Sequence, residues 1–151
     1  IGGAAPHISF YRERADALKI SGQVHFLGPR PISNLNAYLT QANALVSPRT
    51  KGNNTPMKIY SYLHSGVPVV ATRLPTHTQV MNDETSFLGD SSREGYARAL
   101  AQVVENPAQA ARVGESARAL AESRYTFTQF ELTLNHIYDA VEGAVSRKSP
   151  G

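Results

Sequence analysis

The sequence predicts an α/β fold: a parallel sheet flanked by helices, followed by a tail built of helices alone. Three observations carry this. Short β-type runs alternate with helical patterns through the first part of the chain, as in successive βα units. The run Val67-Pro68-Val69-Val70-Ala71 is apolar without alternation, which suits a strand covered on both faces. Beyond about residue 91 only helical spacing recurs.

Taken in order, Ile1 to Pro6 read as a strand end turning into a loop, and residues 9–19 as a helix closed by Ser21-Gly22. Val24 to Leu27 reads as a short strand ending at Gly28-Pro29. Ser33 is placed to cap a helix carrying Leu35, Tyr38 and Leu39, and Ala44 to Ser47 forms the next strand. A helix from Met57 to Ser65 follows, stopped by Gly66, then the strand Val67–Ala71. Pro68 must sit at that strand's start, where its missing donor is tolerated.

In the tail, Ser91 and Glu94 have capping-box spacing ahead of a helix with Tyr96, Leu100 and Val104 on one face. Asn106-Pro107 starts a second helix, which ends near Arg124. A third runs from about Thr128 to Val145, with Phe130, Leu134, Ile137, Tyr138 and Val141 spaced as a packing face. Arg147 to Gly151 read as a disordered tail, leaving residues 1–146 as one domain.

Charge is distributed unevenly. The net charge is only +3, yet no Asp or Glu occurs between Asp16 and Asp83, where Lys19, Arg30, Arg49, Lys51, Lys58 and Arg73 all fall. Within this segment lies Asn53-Asn54-Thr55-Pro56-Met57-Lys58, between a strand and a helix. Thr55 suits an N-cap and Pro56 the first helical position. A lysine in the first turn opposes the helix dipole, a conflict relieved by an anion bound at the helix start. The alternative is a solvated basic loop.

Other classes of function are excluded or disfavoured. No basic run exceeds Arg147-Lys148 and no stacking aromatics accompany it, so nucleic acid is not an expected partner. Zero cysteines remove disulfides and thiolate metal sites, and lean the reading towards the cytoplasm. No stretch reaches the ~20 apolar residues of a membrane span. The five histidines show no metal-ligand spacing. His25 reads as structural, and His64 as sitting at a helix end. Thr76-His77-Thr78-Gln79 follows the strand Val67–Ala71 at its carboxyl end, where it either lines a cleft or caps a helix.

Four motifs in order resemble family 4 glycosyltransferases of the GT-B fold. They are Gly2-Gly3 after a strand, Val24-His25-Phe26-Leu27-Gly28, Ala44-Leu45-Val46-Ser47-Pro48, and Ser65-Gly66-Val67-Pro68-Val69-Val70-Ala71-Thr72. The match, to about residue 143, is to the C-terminal, Rossmann-like half that binds the nucleotide-sugar donor. The resemblance implies a retaining transferase with no cofactor and no obligatory metal. It implies an acceptor glycan or lipid-linked sugar bound through a separate N-terminal domain. A cytoplasmic protein follows, with room for peripheral association at the inner face of a membrane.

Carried over residue by residue, the resemblance places Asn53, Asn54, Thr55, Pro56, Met57 and Lys58 at the sugar and diphosphate. Gly28, Pro29 and Arg30 match the loop bordering the base, and Pro48 and Arg49 the strand end beside it. Two departures accompany the match. The family commonly has two glutamates eight positions apart, and Asn53 and Ser61 stand there instead. Ser61 could make one ribose contact where a carboxylate would make two stronger ones. The resemblance also implies that the domain's first strand and helix, with the diphosphate Arg and Lys, precede Ile1. The competing readings are a non-catalytic nucleotide- or sugar-binding module that has lost the ribose carboxylate, and a flavodoxin-like regulatory domain, against which the acid-free segment argues.

Overall fold

The computed structural model describes residues 1–146. The tail expected at 147–151 lies outside them. The described chain divides into two compact units, residues 1–38 and the part from Leu39 onward.

In the first unit, α1 (Ala5–Ala17) begins earlier than the spacing suggested, because Pro6 occupies its first turn, where no donor is lost. It ends before Ser21-Gly22: Lys19 takes the left-handed conformation at φ 56°, and Lys19 and Ile20 donate to the carbonyls of Asp16 and Ala15. Val24 to Leu27 is not a strand. The backbone is extended at Val24, but no partner ladder forms in this unit, and a strand exists only by pairing. The Gly2 amide donates to the Gly28 carbonyl at 2.7 Å. Single 3-10 turns occupy Ser21–Gln23 and Ile32–Asn34, and α2 (Leu35–Thr40) follows the second.

The second unit contains the sheet. Strands β1 (Leu45–Ser47), β2 (Val69–Thr72) and β3 (Phe87–Gly89) are parallel in the order β1-β2-β3, with Leu45 opposite Val69 and Val70 opposite Phe87. Strand β3 had no expectation in the sequence. Helices α3 (Lys58–Ser65), α4 (Pro75–Thr78), α5 (Arg93–Glu105), α6 (Pro107–Arg124) and α7 (Phe127–Ser146) complete the order. Pro68 stands just before β2, and its carbonyl accepts from the Leu45 amide at 2.9 Å.

Every residue of β2 is buried, and the two sides of the strand enter different clusters. Val69 and Ala71 pack with Ile59, Leu63, Met81, Ala117 and Ala121, while Val70 packs with Phe87, Ala99, Val103, Ala110 and Val113. Burying one valine or leucine side chain stabilises by about 1.5–3 kcal/mol, so this two-sided cover anchors the sheet.

Three helix expectations are corrected. Ser92, not Ser91, caps α5: its Oγ accepts from the Gly95 amide at 3.0 Å, the reach of an N-cap to the third helical residue. The buried face of α5 is Gly95, Ala99 and Val103, which leaves Val104 out in solvent. On α7, Phe130, Leu134, Ile137, Tyr138 and Val141 are exposed rather than packed.

Candidate functional site

Strand β1 delivers the chain at Ser47 into the loop 48–57, and α3 leads away from it at Lys58. The loop is held in part by itself. The Arg49 guanidinium donates to the Asn54 carbonyl at 2.7 Å and folds over Gly52. Gly52 has φ +134°, a conformation that residues with a Cβ rarely adopt, so the position favours glycine.

Lys58 reaches back to the strand. Its Nζ donates to the Val46 carbonyl at 3.3 Å and lies 5.4 Å from the centre of the Tyr62 ring. Partial burial, then the neighbouring charge of Arg49, lower its pKa from the ordinary lysine value. Ion pairs among the described residues are Arg73–Asp83 and Arg118–Glu122, so neither Arg49 nor Lys58 has an acid partner there. Two cations are thus held together at a strand end and a helix start, with their charge uncompensated.

Beneath the loop lies a buried polar cluster. His77 of α4 is fully buried, with Nδ1 2.8 Å from the Thr72 carbonyl and Nε2 3.0 Å from the Ser47 hydroxyl. A carbonyl can only accept, so Nδ1 carries the proton and Nε2 accepts from Ser47. Burial lowers the His77 pKa, the Thr72 bond opposes that, and the charges of Arg49 and Lys58 lower it further. The ring is therefore neutral. Next to it, Thr76 Oγ1 is buried without a partner. Two residues beyond His77, Gln79 donates through Nε2 to Thr55 Oγ1 in the loop at 2.8 Å.

The second unit gathers Pro48, Arg49, Asn53, Asn54, Thr55, Pro56, Met57, Lys58 and Ser61 on one loop and the first two turns of one helix. Asn53, Asn54, Met57 and Pro48 are exposed, and Ser61 is half-buried. Gly28, Pro29 and Arg30 lie in the first unit, where Gly28 has φ +65° and Arg30 donates to its own neighbour, Pro29. Thr55 is not the helix cap: α3 begins at Lys58 after a tight turn in which the Ile59 amide donates to Pro56, and the Thr55 hydroxyl serves Gln79 instead.

Of Thr76-His77-Thr78-Gln79, Gln79 is the C-cap of α4, as one of the two expectations had it, while His77 is buried against β1 and β2. Its supporting role was missed, although its place after a strand's carboxyl end was visible. Tyr96 carried no such signal. Its hydroxyl donates to the Val70 carbonyl at 2.9 Å, and burial pushes its pKa up to about 12. Among the described residues no three His, Asp or Glu side chains gather as metal ligands, and no helix is long and apolar enough to cross a membrane.

Comparison with known proteins places this geometry in context. No curated protein matches the chain significantly. Among solved structures, sucrose-phosphate synthase from Thermosynechococcus elongatus superposes with a TM-score of 0.78 at 20% identity, covering 89% of this chain and 34% of that one. HepE from Anabaena in complex with UDP gives 0.77 at 19% identity over 88% and 36% of the two chains. Its complex with UDP-glucose gives 0.77 at 18% identity over 91% and 38%. The chain therefore spans little more than a third of the length of these structures. The likeness establishes the fold, the Rossmann-like parallel sheet of GT-B glycosyltransferases. The family model for glycosyl transferases group 1 matches residues 1–120, and the chain belongs to that family.

Proposed function

We propose that this chain is the donor-binding domain of a retaining, family 4-like glycosyltransferase, which moves a sugar from a nucleotide-sugar donor to an acceptor held by another domain. The observation that carries this reading is the pairing of Arg49 and Lys58, with no acid partner among the described residues, at the start of α3. An anion there would find two cations at the positive end of a helix dipole. A sugar diphosphate is such an anion, and HepE, with the same fold, is described in complex with UDP and UDP-glucose.

In this reading Lys58 and Arg49 neutralise the diphosphate, and the stretch Asn53–Met57, exposed at Asn53, Asn54 and Met57, meets phosphate and sugar hydroxyls. Ser61, one turn into α3, meets the ribose. Residues 1–146 form the donor domain, and no metal is required for the transfer. The acceptor, a glycan or a lipid-linked sugar, is bound elsewhere in the full protein, with peripheral membrane association if it is lipid-linked.

The test is a thermal-shift and calorimetric panel of UDP-, GDP- and ADP-sugars on the protein. One of the three should stabilise it, and silence from all three would overturn the proposal. A second reading, a binding module without catalysis, is favoured by the half-buried Ser61 where the family has a carboxylate. Consumption of the bound nucleotide sugar by the full-length protein separates the two, and NMR of the product's anomeric centre reports retention.

A further inference from the structure

The loop 48–57 leaves Asn53, Asn54 and Met57 in solvent, and Met57 is 78% exposed. A site needs such a loop held in one arrangement. Its internal tie is the Arg49–Asn54 bond, and its last residues lean on α3 through the Ile59–Pro56 and Tyr60–Met57 bonds. Among the described residues, the side-chain hydrogen bond that reaches it from outside the loop and α3 comes from Gln79, in the segment Pro75–Gln79.

We infer that Pro75–Gln79 is the positioning element of the donor loop, with Gln79 fixing Thr55 and His77 fixing Ser47, the strand residue from which the loop springs. The inference rests on the donor-binding reading above. Both bonds span long stretches of sequence, 24 residues for Gln79–Thr55 and 30 for His77–Ser47. Both partners issue from one rooted segment. The Met81 amide donates to the His77 carbonyl, Met81 is in the core, and the Tyr125 hydroxyl donates to the Val80 carbonyl.

The two contacts have different strengths of anchorage. His77 is buried and donates to Thr72 on β2, so it ties the end of β1 to the end of β2 behind the loop. Gln79 is exposed and reaches the loop itself, two residues before Met57. Both act on the loop through a partner, His77 through Ser47 and Gln79 through Thr55. A loop held at both its root and its far limb keeps the backbone of Asn53–Met57 in one arrangement before any ligand arrives. Preorganisation of that kind lowers the ordering cost of binding.

The experiment is a double-mutant cycle of Gln79→Ala and Thr55→Val, with Gln79→Glu as rescue, since a carboxylate can accept from the Thr55 hydroxyl. Two quantities are read: amide hydrogen exchange over residues 53–57, and affinity for the nucleoside diphosphate that the panel selects. Each single variant should speed exchange in 53–57 at unchanged melting temperature and weaken affinity by about two- to tenfold, one neutral hydrogen bond's worth. The double variant should add nothing further, and Gln79→Glu should restore slow exchange, while its added negative charge keeps it out of the affinity comparison. Unchanged exchange in Gln79→Ala, additive single effects, or faster exchange with unaltered affinity would each overturn the inference. If the parent binds no nucleotide while exchange responds as stated, the donor-binding reading falls and positioning of this loop stands. A His77→Asn variant that fails to fold leaves the Gln79 arm decisive.

Discussion

Gly114 of α6 lies directly against the backbone of Gly66. A Cβ on Gly114 would overlap the Gly66 carbonyl oxygen, fall 3.1 Å from its carbonyl carbon and touch the Pro68 ring at 3.5 Å. Gly66 itself, at φ +72°, ends α3 in the left-handed conformation and turns the chain into β2. The helix that opens at the site loop is thus seated on α6 through two glycines, with no side chain between them.

Gly114→Ala should therefore destabilise the fold by about 1–3 kcal/mol, the range for overpacking a close contact, although alanine is the better helix former. Urea unfolding of parent and variant measures it. A gain in stability would show that α6 can move away from α3 freely.

Lys58→Ala should weaken nucleoside diphosphate binding by about 1–3 kcal/mol, as for a hydrogen bond to a charged group. Melting in the absence of ligand should change little, because the Lys58 bond to Val46 is long and exposed. Calorimetry with UDP, GDP and ADP reads the affinity. Equal affinities in parent and variant would remove Lys58 from the site.

Ser61 tests the ribose contact. Ser61→Ala should cost about 0.5–1.5 kcal/mol of nucleotide affinity, one neutral hydrogen bond. Ser61→Glu places the family's carboxylate on α3 and should tighten binding. If both variants bind like the parent, the ribose is held by other residues.

His77 makes stability pH-dependent in a defined sense. Its folded pKa is lowered below the ordinary 6.5 by burial, with Arg49 in the loop and Lys58 on α3 adding to the effect. On acidification the unfolded chain takes up the proton first, so stability rises with pH across that interval and falls as pH drops below 6.5. Denaturant titrations between about pH 8 and about pH 5 should show this slope, and His77→Gln should flatten it while lowering stability throughout. A slope of the same size in the variant would assign it to other groups.

The sequence by itself determined the α/β class, the parallel sheet, the helices α3, α6 and α7 to within a few residues, and the basic loop ahead of α3. These are local properties. The apolar run at Val69–Ala71 announces a strand covered on both sides, Asn106-Pro107 announces a helix start, and the absence of acids from 17 to 82 is plain in the chain. Tertiary structure decided what local pattern does not encode. Val24–Leu27 has strand composition and no partner, so it is not a strand, while Phe87–Gly89 becomes one by pairing with β2. Thr55 has the chemistry of a cap and is instead taken by Gln79, 24 residues away. His77 owes its tautomer and its burial to Thr72 and Ser47, which only the packing of β1, β2 and α4 brings around one imidazole. The aromatic spacing on α7 specifies a helix face, but whether a face is covered depends on what lies against it, and nothing within a helix's own sequence supplies that surface.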